Sequence, residues 1–437
     1  MKIILVHKYW YRRAGAERYV FDLKDLLEKN GHEVIPFAMR KSLNEPTPYE
    51  RFFVSEIDFE HPRGIREKIR AFCRMLYSFE AKRKFRALVR EVRPDLVHIN
   101  NIYHHISPSI LDVCRDERIP VIQTVHDYKL ICPNYKLFCS GAPEAYCKGG
   151  RYFKEVFHRC TAGSLLGSLA TAIEMFVHHR ILKIYERSVS AWIAPSHFVK
   201  EKLVEYGLPQ EKIHMLHHVA VNYETHSSDI SGGQIRFNRA RKDLTPQDAL
   251  GGFRNSQQER QSILYVGRLA PEKGVDVLIR AMQIVPDTHL TIVGKGPEES
   301  RLKSLVHEIH LEERVTFAGR RSAADRDRLL ANVSLAVVPS LWYEVFGYAV
   351  IEAWVAGVPV VASRIGALPE LVGALHPQCL FEPGDWKKLG QILGTLLLEP
   401  EKIQKMGEEA RQHARTAFSP IQYYQSYSAL AESILKK

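Results

Sequence analysis

The sequence predicts an α/β protein built from two parallel-sheet domains. Its 437 residues exceed what one ordinary hydrophobic core accommodates. Short apolar runs alternate with helical patterns in both halves, and one long polar stretch divides them. Ligands of open parallel sheets bind beside the carboxyl ends of the strands, so we expect a ligand cleft between two domains whose strand ends face each other.

The predicted strands of the N-terminal half are rich in β-branched residues and lack polar alternation, as expected for parallel strands covered on both faces. They are KIILVH, EVIPFA, DLVHIN, PVIQTVHD and AWIAPS. A helix is predicted at about 16–29, where Asn30-Gly31 gives a C-terminal stop. We place the N-terminal domain at 1–221, with a cysteine-bearing insert at 132–160.

Residues 222–261 are polar, contain two Gly-Gly pairs and few large apolar side chains, and therefore predict a flexible linker. The strand pattern then resumes with SILYVGR, HLTIVG, RVTFAG, LAVVPS, VPVVAS and QCLFEP. This predicts a C-terminal domain at 262–418. A last helix in 419–437 is expected to cross back to the N-terminal domain.

Composition is that of a globular protein, with 45% hydrophobic and 25% charged residues. The apolar run in the start MKIILVHKYWYRR is too short for a signal peptide. No uncharged apolar run approaches the length of a membrane span, so we expect a cytoplasmic protein. The seven cysteines do not suggest a disulfide scaffold. Four of them cluster, and because no two are separated by two residues we expect free or packing thiols in preference to a metal site: Cys132, Cys139, Cys147 and Cys160.

The net charge of +11 is concentrated in one segment. Between His61 and Arg93 lie eleven Lys and Arg against three Glu, and the apolar residues recur at helical spacing. One interpretation is a basic amphipathic surface helix packed on the sheet. The other is a positive surface at 63–93 for anionic lipid head groups or an acidic acceptor. No motif typical of nucleic-acid binding accompanies the charge.

Two glycine-bearing loops follow strands of the second half. In LYVGRLAPEKGVDVLIRA, Arg268 and Lys273 lie five residues apart at a helix start, where two cations and backbone amides can clamp a diphosphate. A solvated basic loop is the alternative. TIVGKGPEE places Gly294 after the next strand, without the third glycine of the dinucleotide fingerprint or the ending of a Walker loop.

Two strand ends of the first half carry further candidates. Gly15 lies between the first strand and the first helix, where a small residue lets a ligand approach the helix N-terminus. His126 and Asp127 end the strand QTVHD, where a histidine can donate to a sugar hydroxyl or orient an acceptor. A plain tight turn and a structural histidine are the respective alternatives.

Two carboxylates interrupt the otherwise apolar stretch PSLWYEVFGYAVIEAWVAGVPVVAS. Burying a charge without a partner costs several kcal/mol. We therefore expect Glu344 and Glu352 to contact a ligand. Glu344 precedes a helix predicted at 348–356, beside free amides of Phe346 and Gly347. Carboxylates accept paired hydrogen bonds from neighbouring hydroxyls, as on a pyranose or a ribose.

This stretch resembles the retaining glycosyltransferases of family four, which have the GT-B fold. The resemblance rests on two glutamates separated by seven residues, Glu344 and Glu352, of which the first lies in PS-x-x-x-E-x-FG. The motifs GVPVVAS and GALPELV follow. QTVHDY, GRLAPEKG, GKGPE and FAG match further motifs of that family in the same order. The resemblance is strong from 263 to 398 and looser before 207. It implies two Rossmann-like parallel-sheet domains facing each other across a cleft, with the acceptor on the N-terminal side and a nucleotide sugar on the C-terminal side.

On the donor's phosphates, the resemblance implies three contributors. Arg268 and Lys273 would neutralise the nucleotide diphosphate as it leaves. The loop at Gly15 would meet the phosphates, and Gly294 belongs to the same nucleotide-sugar site.

On the sugars, the resemblance implies that Glu344 holds hydroxyls of the donor sugar with the amides of Phe346 and Gly347. Glu352 would hold the ribose hydroxyls, and His126 would contact the donor sugar near the reacting carbon. Neither glutamate need be a nucleophile.

The implied reaction transfers a hexose from a UDP- or GDP-sugar to a hydroxyl of a glycan or lipid-linked acceptor, in cell-surface polysaccharide or glycolipid synthesis. Members of the family keep the anomeric configuration and generally need no metal or other cofactor. The basic segment 63–93 is then expected to place the enzyme at the inner face of the cytoplasmic membrane. Two alternatives remain: a nucleotide-sugar epimerase or phosphorylase on the same fold, and a non-catalytic sugar-binding protein.

Overall fold

The computed structural model describes residues 1–13, 15–59, 64–218 and 262–436, and these form two parallel-sheet domains. The predicted linker at 222–261 lies outside the described residues. The architecture is therefore the predicted α/β one, with two Rossmann-like halves.

The sheet of the N-terminal domain has six parallel strands in the order β2-β1-β3-β4-β7-β8. A short antiparallel pair, β5 and β6, lies in the cysteine-bearing insert. The strands are β1 (Lys2–Val6), β2 (Glu33–Phe37), β3 (Leu96–Ile99), β4 (Val121–Thr124), β5 (Phe138–Cys139), β6 (Ala142–Pro143), β7 (Ala191–Ala194) and β8 (Ile213–Met215). The first five predicted runs are all present, whereas β8 was not predicted because its three residues are too few to show a pattern.

Helices cover this sheet on both faces, which explains why its strands carry no polar alternation. They are α1 (Gly15–Lys29), α2 (Gly64–Leu76), α3 (Phe79–Val92), α4 (Ser109–Asp116), α5 (Phe153–His158), α6 (Leu165–Phe176), α7 (Ile184–Ser188) and α8 (His197–Glu205). The basic segment thus forms two helices, α2 and α3.

The C-terminal sheet also has six parallel strands, in the order β11-β10-β9-β12-β13-β14. All six predicted runs are present, as β9 (Ser262–Val266), β10 (His289–Val293), β11 (Val315–Gly319), β12 (Leu335–Val338), β13 (Val360–Ser363) and β14 (Leu380–Phe381). The helices are α9 (Val275–Ala281), α10 (Glu299–Glu308), α11 (Ala323–Leu330), α12 (Tyr348–Val355), α13 (Leu368–Leu375), α14 (Trp386–Leu397), α15 (Pro400–Ala417) and α16 (Pro420–Leu435).

The last helix, α16, packs on the N-terminal domain. Its Tyr423 and Tyr427 belong to the core that contains β1 and α1. Tyr423 Oη lies 2.5 Å from Tyr19 Oη, and Tyr427 Oη lies 3.0 Å from His98 Nδ1. The chain therefore joins the two domains again at its C-terminal helix.

In both sheets the strand order reverses direction beside the first strand of the domain. The reversal falls between β1 and β3 in the N-terminal sheet and between β9 and β12 in the C-terminal sheet. Open α/β sheets bind ligands at this point, outside the carboxyl ends of the strands. The loops that follow β1, β9 and β12 are therefore where the fold places a site.

The insert corrects the expectation of free thiols. Cys139 and Cys160 form a disulfide, with Cα atoms 5.1 Å apart, because the β5–β6 turn and the end of α5 bring them together. Cys132 and Cys147 are buried thiols. Within the described residues no group of three or more His, Cys, Asp or Glu is arranged to hold a metal ion.

No helix among the described residues has both the length and the apolar character needed to cross a bilayer.

Candidate active site

An ion pair joins two loops at the carboxyl edge of the C-terminal sheet. Lys273, in the loop after β9, places its Nζ 2.6 Å from Oε1 of Glu344, in the loop after β12. Ser340 donates its hydroxyl to the same carboxylate oxygen at 2.5 Å. The ring of Trp342 lies under the ammonium group, 4.8 Å from Nζ. Two predicted site residues thus contact each other directly.

Glu344 is buried and ionised. Burial would raise the pKa of its carboxyl, but the charge and hydrogen bond of Lys273, with the hydroxyl of Ser340, lower that pKa below its usual value. A lysine ammonium has three N–H groups, so Lys273 can keep its hydrogen bond to Glu344 and still donate to a second anion.

Gly366 fixes the backbone of Glu344. It has a φ of +61°, and a Cβ there would lie 2.3 Å from the backbone nitrogen of Glu344. The amide of Ala367 donates to the Glu344 carbonyl at 2.8 Å. Only glycine allows this approach, so the GALPELV motif acts on the site through the position of Glu344.

Arg268 lies at the same edge and is exposed. No described residue forms an ion pair with its guanidinium, and its carbonyl accepts a hydrogen bond from Tyr265 Oη at 2.9 Å. Gly294 lies behind this loop, where a Cβ would meet the Gly267 carbonyl oxygen at 1.8 Å. Gly294 therefore lets the loops after β9 and β10 touch, and its contribution to the site is to position Arg268.

Glu352, on α12, contacts the other domain. Arg18 of α1 donates to its Oε1, and Arg326 Nη2 lies 3.8 Å from the same oxygen. Arg18 also lies 3.6 Å from Asp22. The second predicted carboxylate is thus held by cations from α1 and α11.

Gly15 begins α1 and faces the same helix. A Cβ on Gly15 would lie 3.2 Å from the ring of Tyr348, the first residue of α12. Gly347 is the N-cap of α12, and the Phe346 ring packs against the rings of His218 and Phe418 at 5.0 and 5.8 Å. The structure therefore brings the N-termini of α1 and α12 together.

The N-terminal sheet places His126 just after β4. His126 Nε2 lies 2.8 Å from Asn100 Oδ1, and the Asn100 amide donates to the Val6 carbonyl at 3.3 Å. This amide orientation places the imidazole proton on Nε2 and leaves Nδ1 as an acceptor. Burial, with the neighbouring His218, lowers the pKa of His126 well below its usual value, so the ring is uncharged at neutral pH.

His126 is connected to α12 through other rings. The His218 ring lies 4.9 Å from His126 and 5.4 Å from Tyr348, and Tyr19 lies 5.0 Å from His126. No hydrogen bond among the described residues joins His126 to Glu344. His126 follows β4 of the N-terminal sheet and Glu344 follows β12 of the C-terminal sheet.

Three further contacts hold the walls together. Ser196 donates its hydroxyl to the Val345 carbonyl at 2.8 Å. The Glu370 carboxylate accepts from the amides of His197 and Phe198 at 2.9 and 3.1 Å, at the start of α8. In the insert, Lys136 Nζ lies 3.0 Å from Glu272, next to Lys273.

Sequence reasoning missed several of these contributors, among them Ser340, Trp342, Arg18, Arg326, Asn100 and His218. Ser340 and Trp342 stand inside the quoted motif, so the partner requirement of a buried carboxylate could have identified them. Arg18 and His218 lie far from their partners in sequence and carry no local signal.

Two family models match most of the chain. The model described as Glycosyltransferase Family 4 matches residues 13–219, and the model described as Glycosyl transferases group 1 matches residues 252–413.

Similar proteins extend this finding. An uncharacterized 42.6 kDa protein in the cps region of Klebsiella pneumoniae is 27% identical over 384 residues, which cover 85% of this chain and 87% of that protein. MMP alpha-(1->4)-mannosyltransferase of Mycolicibacterium hassiacum is 34% identical over 172 residues, 38% of this chain and 40% of that one. The solved structure of Anabaena HepE in complex with UDP-glucose covers 99% of this chain and 100% of its own, with a TM-score of 0.62 at 17% identity.

Proposed function

Because the chain belongs to the GT-B glycosyltransferases, with a family 4 domain followed by a group 1 domain, we propose that it is a retaining hexosyltransferase acting on a nucleotide-diphosphate sugar. The acceptor is a hydroxyl of a glycan or lipid-linked molecule. The observation that carries the proposal is the pair of cations after β9, one exposed and one 2.6 Å from a buried carboxylate, at the point where the strand order reverses.

The cations act on the leaving group. When the bond between the anomeric carbon and the phosphate oxygen breaks, its electron pair stays on the diphosphate. Arg268 is exposed and free of ion pairs with described residues, and Lys273 has N–H groups beyond the one given to Glu344. Both stabilise the new charge without reorganisation, an effect whose loss typically costs about 10²-fold in rate per contact.

The carboxylates and amides orient the donor. Glu344, ionised and fixed by Gly366, accepts hydrogen bonds from hydroxyls of the sugar, with the amides of Phe346 and Gly347 beside it. The Glu352 contacts described above go to Oε1, which leaves Oε2 for the ribose hydroxyls. UDP-glucose in the HepE structure supports a UDP-sugar as a donor to test, and the name of the mycobacterial relative supports mannose as a sugar to test.

The acceptor enters on the face from which the diphosphate leaves. Its oxygen bonds to the anomeric carbon, and its proton passes to the departing phosphate oxygen, so the configuration is retained and neither glutamate becomes a nucleophile. His126 Nδ1 accepts a hydrogen bond from a hydroxyl of the donor sugar near the reacting carbon. These residues supply the charge stabilisation themselves, so we propose that the reaction needs no metal ion and no other cofactor.

The proposal is tested by release of nucleoside diphosphate from a panel of UDP-, GDP- and ADP-sugars, with and without EDTA. We expect one donor to be turned over equally in EDTA, and Glu344→Ala and Arg268→Ala to lose about 10²-fold or more. Arg280→Ala, which removes an exposed arginine of α9, is the matched control.

Product analysis then separates the alternatives. NMR of the product should show the anomeric configuration of the donor. Inversion would contradict the retaining mechanism, an epimerised sugar nucleotide would indicate an epimerase, and binding without turnover of any donor would indicate a sugar-binding protein.

For localisation, we propose peripheral association with an anionic membrane at the cytoplasmic face, through the basic segment 63–93 and its neighbours.

A further inference from the structure

Helix α6 has the reverse of the usual polarity. Its exposed residues are all apolar: Leu165, Leu166, Leu169, Ile173 and Phe176. At 100° per residue they fall within an arc of about 100°, so they form one face. Its buried residues include three polar ones, Ser168, Thr171 and Glu174. A helix on the surface of a water-soluble protein normally buries its apolar face and exposes its polar one. The exposed face of α6 is therefore suited to an apolar environment.

A buried charge network prevents α6 from turning this face inward. The Glu174 carboxylate lies 2.6 Å from Lys129 Nζ and 3.2 Å from His104 Nδ1. Burial would raise the pKa of Glu174, but His104 and Lys129 lower it well below its usual value, so the side chain is ionised. Rotating the helix would leave Lys129 buried without its partner, which is strongly unfavourable.

Neighbouring helices extend the apolar surface. Phe157 of α5 is 79% exposed and packs edge-on to the exposed Phe153, with ring centroids 6.3 Å apart. Ile65 and Ile69 of α2 are 75% and 58% exposed, and α2 neighbours α6. We call these four residues and the five of α6 the outer apolar face. Isolated exposed apolar residues are ordinary, whereas nine on three adjoining helices mark an interaction surface.

Exposed cations surround the outer apolar face. Arg66, Lys68 and Arg70 flank Ile65 and Ile69 on α2, where Glu67 is the one acidic residue, and Arg159 and Lys183 lie beyond the ends of α5 and α6. In contrast, α3 uses its charge internally, since Lys82, Lys84 and Arg86 pair with Asp112, Glu80 and Asp116 at 3.3, 3.2 and 2.5 Å. The positive surface expected over 63–93 is therefore concentrated on α2.

We propose that the outer apolar face inserts into the surface of an anionic lipid bilayer, with the α2 cations at the head groups. Apolar side chains bordered by Lys and Arg match acyl chains bordered by lipid phosphates. A second copy of the chain is a poorer occupant, because a symmetric dimer would bring the α2 cations of both copies together. Lys129, which holds α6 through Glu174, follows His126 by three positions and Asp127 by two. A bilayer at the outer apolar face would therefore lie close to the N-terminal side of the proposed site. A lipid-borne acceptor at this place rests on the proposed transferase function, whereas the docking itself does not.

The test is flotation with phosphatidylcholine vesicles that contain or lack phosphatidylglycerol. We expect the protein to float with the anionic vesicles and to be released by salt. The triple variant Leu166→Ser, Leu169→Ser, Ile173→Ser should lose about tenfold in partition coefficient per side chain. The matched control is Leu398→Ser with Ile421→Ser, which removes two exposed apolar side chains outside the outer apolar face and should float like the native protein.

Two results would overturn the docking proposal. One is equal flotation of the triple variant and the native protein. The other is native protein that does not float but forms a dimer which the triple variant dissociates, since the occupant would then be a second copy.

Donor turnover in detergent-free solution, measured on the same proteins, separates the two proposals. Retained turnover in a variant that no longer floats shows that the variant is folded and supports docking. Flotation without turnover of any donor would contradict the transferase proposal alone.

Discussion

The two walls of the cleft share an architecture but differ in chemistry. The C-terminal wall presents charge: Lys273 and Glu344 are paired at 2.6 Å, and Arg268 is exposed beside them. On the N-terminal wall, burial holds the rings of His126 and His218 uncharged. A charged wall discriminates by electrostatics and a neutral one by shape and hydroxyl positions. This difference supports the part of the proposed function in which the diphosphate binds at the C-terminal wall and the acceptor at the N-terminal one.

The walls also differ in how they are held. The charged residues of the C-terminal wall are fixed within their own domain, by Ser340 and Gly366. The N-terminal wall depends on distant partners, since α16 reaches His98 and Tyr19 through two tyrosines. Perturbing the first should therefore affect chemistry, and perturbing the second should affect stability.

The largest expected effect is on the charged wall. Lys273→Met removes the ion pair and one of the two cations proposed for the leaving group, so donor turnover should fall about 10²-fold or more. The control is Lys303→Met, which breaks a Lys–Glu pair of 2.8 Å on exposed α10 and should leave the rate unchanged. Equal turnover rates for the native protein and Lys273→Met would show that Lys273 does not contribute to the reaction.

The second effect concerns the support of Glu344. Gly366→Ala adds a Cβ 2.3 Å from the Glu344 backbone at a φ of +61°, which should cost about 3 kcal/mol in the free energy of unfolding and displace the carboxylate. Gly384→Ala is matched, because its φ is +86° and nothing lies within 4 Å of the added atom; it should cost about 1 kcal/mol. Denaturant unfolding and donor turnover are measured together. If both variants lost the same stability and activity, the close contact between Gly366 and the Glu344 backbone would not matter for the site.

The same contrast explains what the sequence could predict. Strands, α1, α12 and the charged wall follow from local patterns: apolar runs, glycine stops, and charges at fixed spacing after strands. Lys273 and Glu344 are 71 positions apart, yet both follow strands of one sheet, so topology alone brings them together. The α/β class and its two halves were predicted for this reason.

The remaining features depend on contacts that leave no local pattern. Arg18 meets Glu352 across 334 positions, and Cys139 meets Cys160 through the insert's own turn, so neither the cation nor the disulfide was predicted. The polar face of α6 was missed because Glu174 resembles an ordinary surface residue until Lys129 is placed beside it.

The third effect is acid sensitivity of the N-terminal wall. Burial lowers the pKa of His98 to about 3, against about 6.5 in the unfolded chain. The unfolded chain therefore binds more protons between these values, and stability is full above about pH 6.5 and declines as the pH falls toward 3. From pH 7.5 to 5.5, His98 alone should cost about 1 kcal/mol in the free energy of unfolding.

His98→Gln tests this assignment. The variant should be less stable at neutral pH, because Thr124 and Tyr427 lose a ring partner at 2.8 and 3.0 Å, but its stability should decline less between pH 7.5 and 5.5. His307→Gln, on the exposed surface of α10, is the control and should follow the native profile. A native-like pH profile for His98→Gln would assign the acid sensitivity to other groups.

The smallest effect lies where the two walls meet. Arg18 donates to Glu352 from α1, and both side chains are partly exposed, so the pair contributes at most about 1 kcal/mol. If Arg18 orients Glu352 for the ribose, Arg18→Met should raise the donor KM about threefold to fivefold and leave kcat nearly unchanged, since ribose contacts are equally strong in the ground and transition states. Arg12→Met is the matched control, because Arg12 pairs with Asp25 at 3.1 Å within its own domain. A lower KM in Arg18→Met would show instead that Arg18 competes with the donor for Glu352, and that the N-terminal wall must withdraw before the charged wall can bind its ligand.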